Sequence, residues 1–208
     1  MSIKAFLRDY AAPAAKDHRL VRAGSDFKVT SSSGNTAILF FEELRIDSHK
    51  VVFGVSYCII PAVFWAWVSR YDGESVRPVD RTGAFITRFI LPPDELSYDS
   101  EDDGYLRRMW SYGVGAEREC GSVLRECLSR EVIPEMVRLL DRELLLAELL
   151  EPTRPGVSAL SQDLCEILLG MDSMTSAELE ERLAEAERNG AFGPLVDWVR
   201  QRFRADSK

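Results

Sequence analysis

The chain has 208 residues, with 26 Lys and Arg against 34 Asp and Glu and two His, for a formal net charge of -8. That balance excludes a basic coat for nucleic acid, and 46% hydrophobic with 29% charged residues excludes a disordered chain. A protein of this length buries about 70% of its unfolded surface, in one core or two small ones.

The opening MSIKAFLRDY has no apolar run behind a basic region, so no secretory signal is read and a reducing cytoplasm is the expected location. Ile3, Phe6, Leu7, Tyr10 and Ala14 recur at spacings of three and four, which predicts an amphipathic helix. Pro13 removes the bond to Asp9 and should kink or divide that helix. Strands are predicted over about Phe27 to Ser31, Thr36 to Glu42, Val51 to Ile60 and Ala84 to Leu91, with Ser33-Gly34-Asn35 joining the first two as a hairpin. Val51 to Val68 is 18 residues without a charge and just reaches the length of a membrane span. Gly54, Ser56 and Pro61 within it favour a buried strand followed by a Pro-initiated helix, which Asp72-Gly73-Glu74 should end. Asp94 to Gly104 is polar and acidic and is predicted as a mobile loop.

Helix resumes near Ala116, with Val123, Leu124, Cys127 and Leu128 on one face, and again after Pro134 with Met136, Val137, Leu140, Leu144 and Leu145. Pro152, Pro155 and Gly156 mark a linker. Three short helices follow, the second opened by the capping box Thr175-Ser176-Ala177-Glu178 and closed by Asn189-Gly190. The last carries Phe192, Leu195, Val196, Val199 and Phe203 on one stripe. Before Pro93 there are 12 basic and nine acidic residues, after it 14 and 25, so the C-terminal part carries the acidity. The expectation is an α+β protein, a mainly antiparallel sheet covered by helices. Residues 1–151 form the α+β domain, and residues 157–205 an all-helical extension packed on the same core.

The sequence groups no residues into covalent machinery. Gly113-Val114-Gly115-Ala116-Glu117-Arg118 lacks the third glycine of a dinucleotide site and reads as a glycine-rich turn into a helix. The chain contains no GxxxxGK[ST] loop and no GxSxG elbow. His18 and His49 read as surface residues. The four cysteines form no CxxC pair, and Cys120 and Cys127 stand about 10 Å apart along a helix, too far for a disulfide, so all four read as small core residues. No metal and no cofactor is expected.

Two features rise above this background. Asp94, Glu95, Asp99, Glu101, Asp102 and Asp103 place six carboxylates in ten residues, a lure for a basic partner whose field would speed association and fade with salt. Phe64, Trp65 and Trp67 fall within four residues, so a helix cannot bury all three on one stripe, and Trp65 or Trp67 becomes a candidate partner anchor.

The N-terminal order carries a resemblance. Ala11-Ala12-Pro13-Ala14-Ala15-Lys16, then Leu20 through Gly24 to Phe27, the strand at Ile38 to Phe41, Val52 to Ile60, and Ile133-Pro134-Glu135 together resemble the bacterial domain of unknown function 4304 over residues 3–150. Phe41-Glu42 and Val55-Ser56 stand where that family often carries Gln and Asn, and no catalytic residue comes with the resemblance. The function expected is a non-enzymatic bacterial interaction module, of inhibitor or immunity type, that meets a basic protein surface and neither nucleic acid nor membrane. The alternative is an enzyme or small-ligand binder with a pocket between the sheet and the Pro134 helix, using groups such as Glu42, Glu43, Arg88 or Arg107.

Overall fold

The structure, a computed structural model, describes residues 3–46, 49–71, 81–102, 105–158 and 160–206. It is an α+β protein with a seven-stranded sheet. The strands are β1 (Val21–Ala23), β2 (Asp26–Thr30), β3 (Thr36–Ile46), β4 (Lys50–Ile60), β5 (Ile86–Phe89), β6 (Ser97–Asp102) and β7 (Tyr105–Gly113). They run in the order β1-β2-β3-β4-β7-β6, with β5 also on β4. The chain condenses into two compact units, each assembled from separate stretches. The first holds Met1–Val29, Ala37–Cys58 and Arg88–Arg138, and the second Thr30–Thr36, Ile59–Thr87 and Leu139–Lys208.

The charge-free segment resolves as β4 followed, after Pro61, by helix α3 (Ala62–Tyr71); Asp72-Gly73-Glu74 lies outside the described residues. Among the described residues no helix is long and apolar enough to cross a membrane. Strand β4 is buried along most of its length without alternation, as a strand covered on both faces must be. It also changes partner. Lys50 to Phe53 pair with Gly113 to Trp110 of β7, whereas beyond Gly54 the Ile90 N–H donates to the Val55 carbonyl at 2.8 Å. The Trp110 indole N–H donates to the Ile90 carbonyl at 2.8 Å and ties the two successive partners together.

The acidic run is corrected by the structure: Ser97 to Asp102 is strand β6, paired antiparallel with β7, not a loop. Asp99 stands opposite Arg108, one acid–base pair across the ladder, while Ser100, Glu101 and Asp102 stand opposite Arg107, Leu106 and Tyr105. Strand β1 is likewise an addition to the predicted set; it pairs with β2 through a turn in which Gly24 has φ +68°.

In the first unit an N-terminal helix is built from α1 (Ile3–Phe6), a π turn (Leu7–Ala11) and α2 (Ala12–Asp17). A second combines α4 (Glu117–Cys127), a π turn (Leu128–Val132) and α5 (Ile133–Arg138). Both π turns answer a proline. In an uninterrupted α ladder the ring of Pro13 would collide with the Asp9 carbonyl and leave it without a donor. Instead the Ala12 N–H reaches back five residues to the Leu7 carbonyl, and Pro13 becomes the second residue of a new α segment, where an N–H needs no partner. The Ile133 N–H bonds the Leu128 carbonyl in the same way, with Pro134 next in line. Phe6 seats the first helix on the sheet, stacked on Tyr112 at 4.7 Å between ring centroids and tilted on Phe53 at 5.4 Å.

The widened turn also brings Tyr10 flat against α4. A Cβ on Gly121 would lie 2.3 Å from the Tyr10 ring, so only glycine admits the contact. Alanine elsewhere in a helix gains about 1 kcal/mol over glycine. Gly121→Ala is nonetheless expected to destabilise by about 1–3 kcal/mol, and Tyr10→Ala in the same chain to recover part of that loss. Denaturant unfolding of the two single variants and the double variant measures the coupling.

Helix α2 ends in a Schellman cap, with Leu20 N–H on the Ala15 carbonyl at 2.9 Å and Arg19 N–H on that of Lys16 at 3.0 Å. Helix α8 (Ser176–Arg188) closes identically through Ala191 on Ala186 and Gly190 on Glu187. The left-handed residue is Gly190 in one (φ +87°) and Arg19 in the other (φ +63°). Arg19→Gly should therefore stabilise, by up to about 1 kcal/mol, measured as a rise in the denaturation midpoint.

In the second unit the predicted β2–β3 turn takes on an additional task. Asn35 is buried, donates through Nδ2 to the Leu140 carbonyl at 2.8 Å and accepts the Ala62 N–H at 2.9 Å, fixing the start of α3. Among the described residues this unit also holds α6 (Arg142–Leu150), α7 (Gln162–Gly170), α8 and α9 (Gly193–Asp206). Asp141 caps α6 by accepting the Glu143 and Leu144 N–H groups at 3.0 Å. Arg142 holds the far end of α7 through the Leu168 and Leu169 carbonyls and also bonds Asp172.

Candidate functional site

Helix α8 decides the surface of the C-terminal helices. Its capping box is present: Thr175 Oγ1 accepts the Glu178 N–H, while Glu178 accepts the Thr175 N–H at 2.8 Å. Thr175 thereby holds the Glu178 carboxyl below its ordinary value. From that start the helical period distributes thirteen residues over three stripes. Leu179, Leu183 and Ala186 are buried. Glu180 and Glu187 face α9, where Arg200 donates to Glu180 at 3.0 Å and to both oxygens of Glu187. Those bonds raise the Arg200 guanidinium and depress Glu187.

The third stripe is Glu178, Glu181, Arg182 and Glu185, at spacings of three and four. It faces Asp163, Glu166 and Ile167 of α7, spaced in the same way, across a groove of about 440 Å³. Arg182 crosses the groove to Glu166 at 3.2 Å. Asp163 accepts from Asn189 at 3.3 Å. Glu181 and Glu185 are exposed, and among the described residues no cation reaches either of them. The groove thus holds five carboxylates against one guanidinium. Composition had shown the acidity of this half; the groove needs α7 and α8 side by side, and no contiguous stretch of sequence displays it.

The acidic run singled out from sequence has a different setting. Asp94 opens a 3-10 turn (Asp94–Leu96) and is ion-paired with Arg108. Lys50 lies 4.9 Å over the Tyr98 ring. Glu95 is exposed, and Asp99 stands across the ladder from Arg108. Asp103 lies outside the described residues, as do the side chains of Glu101 and Asp102. Around α3, Phe64 is buried, Trp65 and Trp67 are half-buried, and Gly83 leaves room for the Phe64 ring, which a Cβ there would strike at 1.8 Å. Trp67 meets Phe64 at 5.4 Å and Phe192 at 6.2 Å. It shares a small hollow of about 160 Å³ with Arg70, Asp197 and Trp198.

Among the described residues the groups weighed for an enzyme do not converge, and the Arg107 side chain lies outside them. Glu42 and Glu43 are exposed on β3, while Arg88 is buried and engaged by Glu135 at 3.1 Å and by the Tyr57 hydroxyl at 3.3 Å. Glu135 in turn accepts from Arg138 at 2.8 Å, so the Pro134 helix meets the sheet through ion pairs. Glu148, a buried carboxylate, accepts from the Thr153 N–H and hydroxyl at 2.7 Å and closes the turn after α6. His18 terminates α2 half-buried, and His49 is exposed at the start of β4. Among the described residues no three His, Cys, Asp or Glu side chains group as they would around a metal ion. No protein-family model, curated protein or solved structure matches the chain.

Cys58, Cys120 and Cys165 are buried thiols, as small core residues are, and Cys127 is half-buried. Burial pushes the Cys120 thiol up to about 12, Cys165 to about 11 and the Tyr112 hydroxyl to about 12. Each folded value lies above the unfolded one, so these groups stabilise the fold fully below about pH 9, and that stabilisation is lost as pH rises toward 12. The urea midpoint should be level from pH 7 to about pH 8.5 and fall steadily above it, with net proton release on alkaline unfolding.

Proposed function

We propose that the protein is a non-enzymatic interaction protein of the inhibitor or immunity type, acting in the bacterial cytoplasm on the basic surface of another protein through the α7–α8 groove. One observation carries this reading: two charged helical stripes face each other with Glu181 and Glu185 exposed, and the single guanidinium between them is already engaged by Glu166. The surrounding chain adds to the field, since residues 139–208 carry 14 acidic and eight basic side chains. Clustered charge of one sign raises association rates with an oppositely charged partner and loses that effect as salt screens it. The β6–β7 hairpin is a weaker candidate, because Asp94 is ion-paired with Arg108 and Asp99 stands opposite the same arginine. Kinship of residues 3–150 with the bacterial domain of unknown function 4304 is part of the proposal, and it brings no catalytic residue with it.

The test is capture of partners from bacterial lysate on the immobilised full chain, at low and at high salt, beside the variant Glu181→Lys with Glu185→Lys. Both positions are exposed, so circular dichroism should show the variant folded. A basic protein should be retained at low salt, released at high salt and absent from the variant. Equal retention by the variant, or no salt-sensitive partner at all, overturns the proposal.

A further inference from the structure

We infer that the segment received by this groove is a basic amphipathic helix of the partner protein, with an apolar side chain seated by Leu146, Leu150 and Met174 and its Lys or Arg side chains against Asp163, Glu181 and Glu185. The inference rests on the docking role proposed above and adds the shape of what docks.

A second hollow, about 320 Å³, is lined by Leu146, Leu150, Gly170, Ser173 and Met174, and it shares Glu166, Glu178 and Arg182 with the acidic groove. The two hollows are therefore lobes of one trough, on either side of the Arg182–Glu166 bridge. One lobe is anionic and the other mixed, with Leu146, Leu150 and Met174 as its apolar part. Beside Met174 and Leu146, Leu150 on α6 leaves 48% of its surface in water, apolar area that a ligand side chain can cover. Met174, unbranched and adaptable, suits a site that accepts more than one apolar side chain. The α8 stripe from Glu178 to Glu185 is about 10 Å long, two turns of a helix. A helical ligand with anchors at spacings of three, four and seven matches that length and reads both lobes from one face. Charge complementarity makes the other face of the match basic.

The probe is a displayed library of random peptides, each long enough for about four helical turns, selected on the full-length protein. Enriched peptides should carry Lys or Arg on one side of a helical wheel and an apolar residue repeated at helical spacing. A synthetic copy should bind the natural sequence about tenfold more tightly than either Leu150→Glu or the Glu181→Lys, Glu185→Lys variant. Enrichment of basic peptides without apolar spacing, insensitive to Leu150→Glu, overturns the inference and leaves electrostatic docking standing. Enrichment of nothing, or of peptides indifferent to both variants, also overturns it, and the lysate experiment then decides the docking role separately.

Discussion

Arg200 is the interaction on which the organisation of the C-terminal helices turns. By accepting Glu180 and Glu187 as partners it neutralises one acidic stripe of α8 and fixes that helix against α9. Leu179, Leu183 and Ala186 fix the inward face. With two of its three stripes committed, α8 has no rotational freedom left, and Glu178, Glu181 and Glu185 must look toward α7. Exposed ion pairs contribute little singly, about 0–1 kcal/mol. The Arg200 cluster works through geometry: two carboxylates seven residues apart can be bridged by one guanidinium only when α9 lies beside that stripe.

Proline sets a comparable constraint on the first unit. Each of its two long helices contains one proline, and each absorbs it with a π turn that begins at a leucine six residues earlier. The extra residue in such a turn rotates everything before it relative to everything after it. In the first helix that rotation lays Tyr10 on Gly121. The proline, the π turn and the glycine are thus three expressions of one packing decision. None is explicable alone, since a glycine in mid-helix is unfavourable until the ring above it is considered.

Much of the fold was legible because its signals are local. Ser33-Gly34-Asn35 specified a hairpin, Thr175 to Glu178 a capping box, Asn189-Gly190 a helix end and Pro61 the start of α3, and each depends on residues within one turn of itself. Strands β6 and β7 were not legible, for a physical reason. Read singly, the run from Asp94 to Asp103 is too acidic to pair. Arg108 makes it tolerable only once the antiparallel register sets Asp99 opposite it and Asp94 pairs with the same guanidinium. The compensation lies between strands, where a linear reading cannot look. The candidate groove escaped for the same cause. Charges at spacings of three and four on α8 describe a solvated helix face, and Asp163 with Glu166 describes another. Only the packing of α7 on α8 makes one groove of the two.

The ion pair within that groove determines what kind of recognition it can support. Arg182 already occupies Glu166, so an incoming cation competes with a side chain of the protein itself. Arg182 is half exposed, and a pair of that kind costs little to separate. Displacement is therefore no barrier to binding, but neither does exchanging one guanidinium for another gain much. The net gain must come from the carboxylates that have no such internal partner and from removing Leu150 from water. A fully buried leucine contributes about 1.5–3 kcal/mol, and one that starts half exposed contributes correspondingly less. That contribution is unaffected by the salt that screens Glu181 and Glu185. In the proposed complex, charge accordingly governs how fast the partner arrives, and the burial of Leu150 governs how long it stays.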